Sequence, residues 1–206
     1  SLERMVLSGH LVSLGDGQRV FMSGIYSSTA VVFAGGGCRT LWALGVWDAI
    51  KDVVGPVDHW AGVSAGSAMA AIAAIDRSQE IRETFAEFAR VNPRNFYPEK
   101  LLGHDTVFPH ERIYRESLDR VFANGGFEKL AASGPVHILL ARLLNQRMRW
   151  PIMVNALMRY NRRKTMGGLH GPLEPPFGIG PEVVVAQDAP DVSTLTDWIV
   201  ASSATP

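Results

Sequence analysis

Between Ala30 and Ile75 the chain twice repeats one order: an apolar strand-like run, a glycine-bearing turn, then a helix-forming stretch. The first copy is Ala30-Val31-Val32-Phe33-Ala34, the turn Gly35-Gly36-Gly37-Cys38-Arg39, and a helix over Leu41–Val54. Leu41, Leu44, Trp47 and Ile50 fall at helical spacing, and Gly55-Pro56 stops the helix. The second copy is a strand over His59–Val63, the turn Gly62-Val63-Ser64-Ala65-Gly66, and an Ala- and Met-rich helix to Ile75. Strand, helix, strand, helix in about forty-five residues is a βαβα unit. A continuous apolar strand must be covered on both faces. The expected fold is therefore α/β, with a central, mostly parallel sheet and helices on both faces.

Elsewhere the pattern predicts a hairpin over 5–22, turning at Gly15-Asp16-Gly17, where Asp-Gly supplies the required positive φ. Helices are expected over Gln79–Arg90, Glu111–Ala123 and Thr194–Ala201, and strands over Val136–Leu140 and Glu182–Ala186. Residues 142–181 carry Pro151, Gly167-Gly168, Gly171-Pro172 and Pro175-Pro176, and read as a long irregular connection of functional type. At 206 residues the chain is long enough for one well-buried core. Its single Cys38 excludes an intrachain disulfide and a cysteine zinc cage. No run of about eighteen uncharged apolar residues is present and no signal peptide is seen, so a cytoplasmic protein, peripheral to membranes, is expected.

The two turns differ in chemistry. A Gly-x-Ser-x-Gly corner between strand and helix holds a serine in a strained, exposed position, where a base can activate it. The helix that follows adds positive dipole potential. A plain helix cap is the alternative reading of the same residues. Backbone N–H groups bared by the glycine run at 35–37 can receive an oxyanion. A tight turn or a phosphate cradle is the alternative there. The dinucleotide pattern is not met, because Thr40 stands at its last glycine, and no Lys-Ser/Thr pair follows for a P-loop. Arg39 in a first helical turn opposes the dipole, which points to a separate pairing for it. Together the turns point to an acyl hydrolase. Of the histidines His59, His104, His110, His137 and His170, only His170 after Asp105 or Asp119 gives a plausible serine-acid-histidine order. A structural or solvated role is the better reading for all five.

Three blocks in order, Gly35-Gly36-Gly37-Cys38-Arg39, Gly62-Val63-Ser64-Ala65-Gly66 and Ala201-Ser202-Ser203-Ala204-Thr205-Pro206, resemble the patatin-like phospholipases over roughly residues 29–206. The resemblance implies a three-layer patatin-like fold and a Ser–Asp dyad without histidine. Carried over, Ser64 is the nucleophile, Gly62 and Gly66 form its elbow, and Gly35, Gly36, Gly37, Cys38 and Arg39 form the oxyanion hole. It implies hydrolysis of acyl esters of phospholipids or lysophospholipids through an acyl-serine, with no metal and no cofactor. The alternatives are a catalytically silent lipid-binding or scaffolding domain, and a soluble carboxylesterase or acyltransferase.

Two departures stand out. Thr40 replaces a usual glycine, so a less open turn is expected. The family's aspartate lies in an Asp-Gly-Gly or Asp-Gly-Ala motif downstream of the third block, and is expected beyond Pro206. The only Asp-Gly here is Asp16-Gly17, while Asp188, Asp191 and Asp197 precede that block and match no catalytic position. The expected organisation is a hairpin extension over 1–28 and a patatin-like domain over 29–206 that ends before the aspartate motif.

Formal charge sums to zero, but unevenly. From Lys129 to Leu173 no acidic residue occurs, while Arg142, Arg147, Arg149, Arg159, Arg162, Arg163 and Lys164 alternate with Leu, Met, Trp and Ile. Arg149, Trp150, Arg159, Arg162, Arg163 and Lys164 are the candidate contacts to an anionic membrane. A core helix with a solvated basic face is the equal alternative. Aromatic content is thin for nucleic-acid stacking, and no nucleic-acid partner is expected.

Overall fold

A computed structural model of the chain describes residues 10–14, 18–22, 28–91, 110–165 and 177–203. Strands β1 (His10–Leu14) and β2 (Gln18–Met22) pair antiparallel, with His10 opposite Met22. The expected Gly15-Asp16-Gly17 turn and Met5–Leu7 lie outside the described residues.

The main sheet has four strands in the order β3 (Ala30–Phe33), β4 (His59–Val63), β5 (Val136–Leu143) and β6 (Ile179–Val185). The first three are parallel and β6 runs antiparallel beside β5. Helix α1 (Thr40–Val54) links β3 to β4, and α2 (Ala65–Ala74) leaves β4. Right-handed crossovers that step the same way across a sheet place their helices on the same face, and α1 packs on α2. On that face lie Phe33, Trp60, Val136 and Ile138, all buried. Trp47 of α1 meets Trp60 edge-on, with ring centroids 5.0 Å apart. Val32, Val63, Leu139 and Val183 point to the other face and are exposed among the described residues.

Helix α2 is buried from Ala65 to Ala73, an apolar helix without a polar side, which suits a central position. Its alanines let the sheet and neighbouring helices close on it. On it pack α3 (Ser78–Val91) and α7 (Val192–Ser203), and α4 (His110–Phe122) packs on both of those. Asp191 opens α7: its carboxylate accepts from the Thr194 N–H at 2.7 Å, and this contact holds it below the ordinary carboxylate range. Arg77 ties α4 down by donating to the carbonyls of Val121, Ala123 and Asn124 at 2.6–2.9 Å.

Two expectations change. A short helix α5 (Gly126–Ala131) occupies residues to which the sequence pattern assigns no element. Within residues 142–181, the described parts, 142–165 and 177–181, are far more regular than expected, while Gly167-Gly168, Gly171-Pro172 and Pro175-Pro176 lie outside the described residues. Strand β5 runs on to Leu143, a 3-10 turn covers Gln146–Met148, and α6 spans Arg149–Thr165. Pro151 sits in the first turn of α6, where its missing N–H leaves no helical bond unmade. Pro181 falls in β6, at the edge of the sheet, which tolerates a lost donor.

Candidate active site

The parallel strands end their carboxyl sides together, the usual place for a site in such sheets. β3 runs out into the glycine turn and β4 into Ser64. Ser64 holds φ 57° and ψ −138°, a backbone region that side chains other than glycine's rarely occupy. Such strain costs about 1–3 kcal/mol and persists only when surrounding structure enforces it. Two glycines do so here. A β-carbon on Gly62 would overlap the carbonyl of Gly66, and one on Gly66 would overlap those of Phe33 and Ala34. The elbow therefore closes more tightly than any larger residue permits.

Ser64 also begins α2. Its carbonyl accepts from the Ser67 N–H at 2.9 Å and from the Ser67 hydroxyl. Its Oγ makes no hydrogen bond among the described residues and is left at the helix N-terminus, in positive dipole potential.

The glycine turn lies against this corner: a β-carbon built on Gly35 would stand 3.0 Å from Ser64 Cβ and 3.6 Å from its Oγ. Gly37 has φ 59°, and Gly37–Arg39 forms one 3-10 turn leading into α1. Among the described residues the N–H groups of Gly36, Gly37 and Cys38 have no acceptor, whereas the Arg39 N–H is occupied by Gly36 O at 3.4 Å. An anion reaching this turn would meet up to three free donors. Arg39 is exposed, and its Nε donates to Gly36 O at 3.5 Å. The separate pairing expected for it is thus a contact within its own turn. Thr40 is buried, and its hydroxyl donates to Gly37 O at 2.7 Å. The threonine closes the turn from below with a bond that a glycine lacks.

One residue was missed by the sequence reasoning. Ser202, near the end of α7, accepts the Ser64 N–H at 2.8 Å and donates its own proton to Leu139 O at 2.6 Å. A single hydroxyl thus joins elbow, β5 and α7. The third sequence block was its only signal, and the block does not say what its serine touches. Nearby, Tyr114 of α4 is partly buried, with its hydroxyl enclosed close to Ser203 and Cys38. Burial pushes its phenol up to about 12, offset in part by the nearby Ser203 hydroxyl, which is not aligned for a full hydrogen bond.

No described histidine or carboxylate reaches Ser64 Oγ. His59 and His137 stack on each other across β4 and β5, 5.8 Å between centroids. Asp191 caps α7 and Asp197 pairs with Arg115 at 2.6 Å. Asp188 follows β6, which runs antiparallel and finishes at the end of the sheet opposite to Ser64. His104, His170 and the side chain of His110 lie outside the described residues. Of the candidate membrane contacts, Arg149, Trp150 and Arg159 lie exposed on α6. Arg162 is exposed on the same helix, and the side chains of Arg163 and Lys164 lie outside the described residues.

The family model of the patatin-like phospholipases matches residues 31–206 of the chain. No curated protein and no solved structure matched the chain.

Proposed function

We propose, from the premise that the chain belongs to the patatin-like phospholipase family, that it is a serine acyl hydrolase acting on phospholipids or lysophospholipids. Lipid acyl hydrolysis is the activity that family suggests. The observation that carries the finer reading is Ser64: a non-glycine residue at φ 57°, with Oγ unbonded among the described residues and the free N–H groups of the glycine turn alongside. Ser64 Oγ attacks the ester carbonyl, and the carbonyl oxygen takes up negative charge. The N–H groups of Gly36, Gly37 and Cys38 stabilise that charge. The serine proton passes to a base and then to the departing alcohol, leaving an acyl-serine. Water attacks the acyl-serine, releases the fatty acid and restores the hydroxyl. We assign the base to an aspartate outside the described residues, as a Ser–Asp dyad requires.

A second reading is a lipid-binding domain without turnover, favoured by the absence of any base on Ser64 Oγ among the described residues. Fatty-acid release from dispersed lysophospholipid, followed by mass spectrometry for the protein and for Ser64→Ala, separates the two. Release abolished by the substitution supports the hydrolase. Binding of lipid without release, equal in both proteins, supports the silent domain.

A further inference from the structure

Helix α6 wears its apolar stripe on the outside. Ile152 and Ala156 are buried, and Ile152 lies against Gly178. Trp150, Val154, Leu157 and Met158 fall at i, i+4, i+7 and i+8, which is one helical face, and all four are exposed. Leu144 and Met148, just before the helix, are exposed as well. Apolar side chains exposed together on one helical face, unlike ones scattered singly, are the mark of an interaction site.

Its place in the fold is informative. Strand β5 runs parallel to β4, and Val63 pairs with Leu139. Beyond that pair β5 continues through Leu140–Leu143, bonded only to β6. Four strand residues project about 13 Å past the end of β4. The ribbon therefore carries α6 out beyond the carboxyl ends of the parallel strands, the end of the sheet where Ser64 sits.

Charge selects the occupant. Helix α6 contains Arg149, Arg159, Arg162, Arg163 and Lys164 and no acidic residue, and none occurs anywhere from 129 to 173. Two copies of such a surface repel each other, whereas an anionic bilayer attracts both. Trp, Met and Leu flanked by arginine suit the depth where acyl chains meet headgroups. We infer that Leu144, Met148, Trp150, Val154, Leu157 and Met158 form a docking face for an anionic phospholipid bilayer, with Arg149, 5.7 Å from the Trp150 ring, engaging headgroups at its flank and the other cations of α6, Arg159 among them, adding longer-range attraction. What docking achieves rests on the hydrolase reading: it holds the Ser64 end of the sheet at the substrate's own surface. The docking itself does not depend on that reading.

The test is co-sedimentation of the full chain carrying Ser64→Ala, so that hydrolysis cannot alter the vesicles. Phosphatidylcholine vesicles with and without phosphatidylserine serve as probes. The expected result is partition onto the mixed vesicles that weakens with added salt. Trp150→Ser with Leu157→Ser is expected to lower it more than tenfold. Arg149→Gln with Arg159→Gln is expected to remove most of the preference for phosphatidylserine. All four side chains are exposed, and unchanged far-UV circular dichroism verifies the fold of each variant. Equal partition by variants and parent overturns the inference. So does a dimer in size-exclusion chromatography that Trp150→Ser dissociates, since a second copy would then own the stripe. Partition as expected, with no ester hydrolysis by the protein bearing Ser64, leaves the docking face standing and removes the hydrolase.

Discussion

The backbone N–H of Ser64 donates to Ser202 Oγ at 2.8 Å, and that same hydroxyl donates onward to Leu139 O at 2.6 Å. Residues 138 apart in sequence are thereby fixed to one another at the strained corner. Ser202→Ala removes the acceptor and the donor together. It is expected to cost about 1–2 kcal/mol of stability, read by urea denaturation. Ester turnover should fall by about tenfold, because Ser64 loses the contact that fixes its backbone and small displacements at a reacting centre are costly.

Ser64 carries strain that only its side chain makes necessary. Ser64→Gly is expected to be more stable than Ser64→Ala by about 1 kcal/mol, because glycine accepts φ near +57° without penalty. Both variants lack the hydroxyl, so thermal midpoints compare backbone strain alone. Equal midpoints would mean that the corner is not strained.

Two glycines should respond with opposite signs. Gly66→Ala pushes a methyl into the carbonyls of Phe33 and Ala34 and is expected to destabilise by 1–3 kcal/mol or more. Gly45 lies within α1, exposed, with open space where a β-carbon would go. Gly45→Ala is expected to stabilise by about 0.5–1 kcal/mol through helix propensity. Denaturant midpoints of the two variants check the contrast.

Much of this was legible in the sequence, and for identifiable reasons. The β3–α1–β4–α2 unit follows from apolar runs punctuated by glycine, since both periodicity and breakers act locally. Helices α3, α4 and α7 were placed to within one or two residues at each end. Helix α6 is not foreseen from the sequence, because Pro151 looks like a breaker. Pro151 is harmless only because it falls in a first turn, and a helix start cannot be located from the proline itself. The inverted polarity of α6 was hidden too, since periodicity shows a stripe without saying which way it faces. Ser202 could not be assigned a contact, because its partners lie in other strands and turns.

Stability should fall with alkali between about pH 10 and 12. Burial raises the folded Tyr114 phenol to about 12 from its ordinary 10. The unfolded chain therefore releases this proton first as pH rises, and the folded state binds more protons across that window. Tyr114 stabilises fully below pH 10 and loses roughly 2–3 kcal/mol through pH 12. Tyr114→Phe is expected to flatten this part of the profile, measured by denaturant unfolding at stepped pH.

Ser64 is the nucleophile of the proposed reaction. The most direct test of this role is intact-mass spectrometry after reaction with a fluorophosphonate, followed by peptide mapping. The expected result is a single phosphonyl adduct on the peptide containing Ser64, absent from Ser64→Ala and slowed in Ser202→Ala. An adduct on another residue, or none on a folded protein, would contradict it.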